Sequence, residues 1–63
     1  MNLQIGKLYW VKDWHFTSDP PELIVVTGIL EEKQLFSLYW VNRGFSVEVF
    51  FPSFASMYTL SPT

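Results

Sequence analysis

Cysteine is missing from this 63-residue chain, and histidine occurs once, at His15. No disulfide can staple the fold, and no Cys/His metal cluster can be assembled. Positive charge is scarce: Lys7, Lys12, Lys33 and Arg43 stand against six acidic residues, for a net charge of −2. Nucleic-acid affinity draws on Lys and Arg to neutralise several phosphates, so that role has little to work with here. Long apolar runs are absent as well. A run such as Leu23 to Val26, whose four-residue length none exceeds, falls far short of the roughly 20 residues of a membrane-spanning helix. Met1-Asn2-Leu3-Gln4 offers neither the basic region nor the apolar stretch of a signal peptide. The expectation is a cytoplasmic protein with no membrane contact, and the lack of cysteine agrees with a reducing compartment. Gly6, Gly28 and Gly44 are isolated, so no phosphate-cradling loop can form.

What is present is apolar and aromatic. Hydrophobic residues make up 49% of the chain and charged ones only 16%, against about 25% charged in typical domains. Disorder is excluded on that basis. Alanine occurs once, at Ala55, while Val, Ile, Thr, Phe, Tyr and Trp supply 25 residues. Such side chains suit a pleated, half-buried surface and lose rotamer freedom in helices, which predicts an all-β fold. The length allows one domain, 1–63, and a domain this small buries only roughly 60% of the surface its unfolded chain exposes.

Five strands can be read along the chain. Ile5 to Trp14 is the first strand-like run, and Ser18-Asp19-Pro20-Pro21 closes the long loop that follows it. Leu23 to Leu30 has the length and β-branching of a central strand buried on both faces, with Gly28 marking a bulge or bend. Glu31 to Gln34 is a polar tip leading into a third strand, Leu35 to Val41. The next hairpin has two candidate registers. A three-residue loop, Asn42 to Gly44, sets Ser37 opposite Val49. A four-residue loop from Val41 instead pairs Trp40 with Phe45, Leu38 with Val47 and Phe36 with Val49. Only the latter gives both strands an apolar inner face, since a one-residue slip reverses every side chain. It leaves Leu35, Tyr39 and Val41 outside. The fourth strand, Phe45 to Phe51, stops at Pro52; Ser53 to Ser56 suits one 3₁₀ turn, Met57 to Leu60 a fifth strand, and Ser61 to Thr63 a frayed tail. Leu8-Tyr9-Trp10-Val11 recurs as Leu38-Tyr39-Trp40-Val41, although the flanking residues differ. Equivalent roles for the two strands would point Leu8 and Trp10 inward and Tyr9 outward.

Five short strands with tight hairpins predict a small, partly open barrel, an arrangement that hides strand edges. Val47-Glu48-Val49-Phe50-Phe51-Pro52-Ser53-Phe54, running on to Leu60, resembles the closing part of SH3 domains. There a strand ends in Phe-Pro-Ser, a 3₁₀ turn follows, and a short last strand completes the barrel. The loop from Trp14 to Glu22 falls where that family has its RT loop. Phe54 and Ala55 replace the family's Asn-Tyr pair, and its early Ala-Leu-Tyr-Asp-Tyr signature and acidic RT-loop cluster are missing. The resemblance therefore implies an SH3-like barrel and not a proline-motif receptor; OB-fold and Sm-like barrels are the alternatives, the former usually needing a longer chain.

Catalysis has little footing. His15 has Asp13, Asp19, Thr17 and Ser18 nearby, but no nucleophile–base–orienter motif, and a loop histidine with polar neighbours is the simpler reading. Adjacent carboxylates at Glu31 and Glu32 suit a solvated tip, because neighbours on a strand diverge. No enzyme activity, cofactor, metal or small-molecule substrate is expected. The apolar surplus is the functional signal. A five-stranded barrel has about 15 to 20 inward positions, fewer than the apolar residues available. Grouped Tyr and Trp side chains are favoured at interfaces. Tyr9, Trp14, Tyr39, Phe50, Phe54 and Tyr58 are the candidate partner-binding residues of a small non-catalytic interaction module, an accessory subunit, adaptor or inhibitor that binds a protein partner or itself. The alternative is a barrel that stacks single-stranded nucleic acid on its aromatics. Titration with short oligonucleotides at low salt separates the two: the four positive charges predict no quenching of Trp fluorescence, and strong quenching establishes the alternative.

Overall fold

The computed structural model describes residues 3–16 and 18–63. Five strands form it: β1 (Leu8–Asp13), β2 (Glu22–Leu30), β3 (Leu35–Trp40), β4 (Phe45–Phe50) and β5 (Tyr58–Pro62). A 3₁₀ turn, Glu31–Lys33, links β2 to β3, and a short helix α1 (Phe51–Met57) links β4 to β5. All neighbours are antiparallel, in the order β4-β3-β2-β1-β5. The protein is all-β, a small partly open barrel with one helix near its end.

β2 sits at the middle of the sheet, as its apolar run predicts. Its pairing with β3 advances from Val26↔Leu38 directly to Gly28↔Ser37, so Thr27 is the extra residue of a bulge. Strict alternation would send Ile29 outward, after Ile24 and Val26 on the inner face. The bulge resets the parity, and Ile29 packs against the core while Leu30 is half exposed. Burial of β2 on both faces does not hold. Ile24 and Val26 are fully buried, whereas Leu23 and Val25 keep partial exposure because, among the described residues, no second layer covers their face.

The β3–β4 hairpin takes the register that makes both inner faces apolar: Trp40↔Phe45, Leu38↔Val47 and Phe36↔Val49. Its four-residue turn closes with the Gly44 amide donating to the Trp40 carbonyl at 2.8 Å, and Gly44 has φ +75°. Arg43 folds back from this turn. Its Nε and Nη2 donate to the two Glu22 carboxylate oxygens at 2.9 and 2.6 Å, and its guanidinium lies 4.7 Å from the Trp40 ring centroid.

The repeated Leu-Tyr-Trp-Val segments are not equivalent. Ile24 is opposite Tyr9 on one side and Trp40 on the other. Tyr9 and Trp40 thus share one inner row, and β1 is offset by one residue relative to the repeat. Tyr9 and Val11 are buried, and Leu8 and Trp10 face out, the reverse of the expectation from equivalence. The Tyr9 hydroxyl accepts from the Gln4 amide at 2.9 Å, which gives the buried ring a polar outlet.

The last segment also departs from expectation. In place of one 3₁₀ turn over Ser53–Ser56, α1 is a seven-residue α-helix that begins at Phe51, with Pro52 in its first turn. Proline fits there because its missing N–H would lack a helical partner anyway. Phe51 therefore leaves strand register and packs on Phe36 with ring centroids 5.8 Å apart. Phe54 meets Phe36 edge-on at 5.3 Å and Tyr58 at 4.8 Å. Ser61 and Pro62 are not a frayed tail; they pair with Trp10 and Tyr9, and proline is tolerated because β5 is an edge strand.

The core comprises Tyr9, Val11, Ile24, Val26, Phe36, Leu38, Trp40 and Phe54. A chain of this length holds only about 3–9 kcal/mol of folding stability. Leu38→Ala, at a fully buried site, removes about 2–5 kcal/mol of that, so urea titration followed by circular dichroism will show a variant at the edge of unfolding at 25 °C.

Candidate protein-contact surface

In an antiparallel sheet, residues directly opposite one another share a face, so the pairing registers define the outer surface row by row. One row runs Trp10–Leu23–Val41: Trp10 is opposite Leu23, and the Val41 amide donates to the Leu23 carbonyl at 3.1 Å. The adjacent row runs Leu8–Val25–Tyr39, each directly opposite the next. Six apolar side chains, five from β1, β2 and β3 and one from Val41 just past the end of β3, thus form a two-row block. Leu8, Trp10, Tyr39 and Val41 are 37–42% exposed, and Leu23 and Val25 are half-buried between them. No charged residue lies within the block. Along the sheet it ends at Ser37 and Glu48, and at Ser46 on β4. A further apolar row, Leu30–Leu35–Phe50, lies beyond that polar break.

The six candidate residues separate into four places. Tyr39 lies in the outer block, as expected. Phe50 belongs to the further row and is 47% exposed. Trp14, Phe54 and Tyr58 come together around a groove of about 240 Å³ between the end of β1, α1 and β5. Trp14 is fixed there from both ends: its backbone amide donates to the Met57 carbonyl at 2.9 Å and its indole to the Ala55 carbonyl at 3.2 Å. Its ring is still 56% exposed. Tyr9 and Phe54 cannot serve as contact residues, because each is at least 95% buried in the core. Tyr9 is lost through the β1 offset, and the Phe54 ring is engaged by Phe36 and Tyr58. Tyr58 is half-buried and lines the groove beside Phe54.

Leu8, Trp10, Leu23 and Val25 are the members of the block that the sequence pattern did not reveal. Both parities of β1 carry apolar and charged residues, with Lys12 on one and Asp13 on the other, so alternation cannot choose between them. Only pairing with Ile24 does so.

His15 is exposed, and its backbone amide donates to the Asp13 carboxylate at 2.7 Å, a local turn contact. Thr17 lies outside the described residues. Among the described residues no group of three His, Cys, Asp or Glu side chains is placed to hold a metal ion, and no helix is long and apolar enough to cross a membrane. No known protein family, curated protein or solved structure matches this chain.

The offset of β1 can be tested by a pair of substitutions. Tyr9→Ala is expected to cost about 3–5 kcal/mol, and Trp10→Ala less than half as much, measured by chemical denaturation. Equal losses, or the reverse order, place β1 in the other register.

Proposed function

We propose that this protein is a small non-catalytic interaction module on an SH3-like barrel, working by having its outer sheet face covered by a protein surface. The observation that carries this reading is the uncharged block of Leu8, Trp10, Leu23, Val25, Tyr39 and Val41. Scattered exposed apolar residues are ordinary, but a contiguous group rimmed by polar side chains is what interfaces use. Trp10 and Tyr39 supply the large amphipathic rings that dominate binding energy at such sites. The strand order and the short helix before β5 support the SH3-like assignment, which the departures around Phe54 and Ala55 keep apart from proline-motif recognition.

The block also suits a second copy of the same chain. A two-fold interface brings a patch against itself, and an uncharged patch meets no like-charge repulsion when it does so. Covering it stabilises a marginal core by mass action. Sedimentation equilibrium from micromolar to millimolar concentration is expected to show mass rising towards a dimer. Trp10→Ser with Tyr39→Ser should stay monomeric, with an unchanged circular dichroism spectrum. A wild type that is monomeric throughout, and whose outer-face amide resonances are unmoved by any candidate partner, overturns the proposal.

A further inference from the structure

At the opposite end of the sheet from the Arg43 turn, the β2–β3 connection leaves the barrel mouth open. A cleft of about 340 Å³ has Leu3, Ile29, Leu35, Phe36 and Phe51 on its floor and walls, with Glu31 and Gln34 at its rim. A wider, shallower hollow of about 620 Å³ continues from it over Ile5 and Leu30 and reaches Glu32. A third, of about 200 Å³, extends to Ser37 and Glu48 on the outer side. Leu30 lines all three and is 50% exposed. The combined space is lined mainly by apolar side chains, with Ile29 and Leu30 common to all three hollows, and its charged lining residues are Glu31, Glu32 and Glu48, all exposed. No Lys or Arg lines it. Among the described residues, the salt bridge formed is that between Arg43 and Glu22, so none of these three carboxylates is ion-paired to a basic side chain, although Lys33 stands in the same 3₁₀ turn as Glu31 and Glu32.

We infer that this mouth is a second docking site, for a basic peptide segment of a partner with a bulky apolar anchor flanked by lysine or arginine. Depth and apolar walls select the anchor, and the three carboxylates select the flanking cations. Self-association through this end is disfavoured, because it would set Glu31 and Glu32 against their own copies. Nucleic acid and anionic lipid are repelled by the same charges. The site centres on the β2–β3 end of the sheet and reaches the outer face only at and beyond the Ser37–Glu48 break that bounds the outer block, so either can fail without the other.

The probe is an N-acetylated, C-amidated hexapeptide with a central Leu-Phe and two lysines on each side, compared with the same peptide carrying glutamates. Titration at low salt into ¹⁵N-labelled protein is expected to shift the amides of Leu3, Ile29, Glu31 and Gln34 with the lysine peptide and not with the glutamate peptide. Glu31→Lys with Glu32→Lys should weaken binding by about tenfold, and added salt should weaken the wild type in the same direction. Leu30→Ser should weaken it with the charges intact; both sites are exposed, and unchanged circular dichroism confirms that these variants fold. Equal binding of the two peptides, shifts confined to Trp10, Tyr39 and their neighbours, or no shifts at millimolar peptide overturns the inference. The last two outcomes leave the outer-face reading standing.

Discussion

β2 carries two ladders at once, and the inner row Tyr9–Ile24–Trp40 joins them. Ile24 is fully buried, so both flanking strands must present a side chain to the core beside it. Once those partners are set, side-chain alternation assigns every other residue of β1 and β3 to a face. The β4 face follows from its hairpin with β3, and the β5 face from its ladder with β1. The bulge at Thr27 lets one strand serve the core along its whole length, because it exchanges the parity of β2 midway and brings Ile29 inward.

The same constraint determines what is left outside. With Tyr9 and Val11 inside, Leu8 and Trp10 have no choice but the outer face, where Val25 and Tyr39 already stand. The uncharged block is thus a consequence of core registration and not a separate feature. Charge is distributed to match. Arg43 and Glu22 neutralise each other near one end of the sheet, while Glu31, Glu32 and Glu48 gather around the mouth at the other. An apolar surface without charge and an apolar cleft rimmed by carboxylates differ in character, which is why we propose different occupants for them, the first tolerant of its own copy and the second of opposite sign.

Where local signals were strong, the structure could be anticipated. The alternation in Phe45 to Phe50, with Gly44 for the turn, admitted one register that made the inner faces of both strands apolar. The polar run Glu31 to Gln34 marked the β2–β3 connection, and Gly28 marked the bulge. Tyr39 and Phe50 were placed outside on these grounds. Signals failed where two elements were locally equivalent. The repeat of Leu-Tyr-Trp-Val suggested matching strands, yet β1 and β3 approach β2 from opposite sides with a one-residue offset. Phe51 continued the β4 alternation in sequence but belongs to α1, since Pro52 fits a first helical turn and the Phe36, Phe54 and Tyr58 rings reward the helix with packing.

The sequence by itself determined the all-β class, the hairpins, the absence of disulfide support and the excess of apolar side chains over core positions. Composition and period-two patterning are local properties, and they act before any strand has found its neighbour. Which apolar residues make up the excess was decided only by tertiary pairing. Tyr9 or Trp10 could each have filled the place beside Ile24, and nothing within β1 distinguishes them. The choice rests on the distance between strands and on what Ile24 can be packed against, and through it the protein's outer surface was chosen as well.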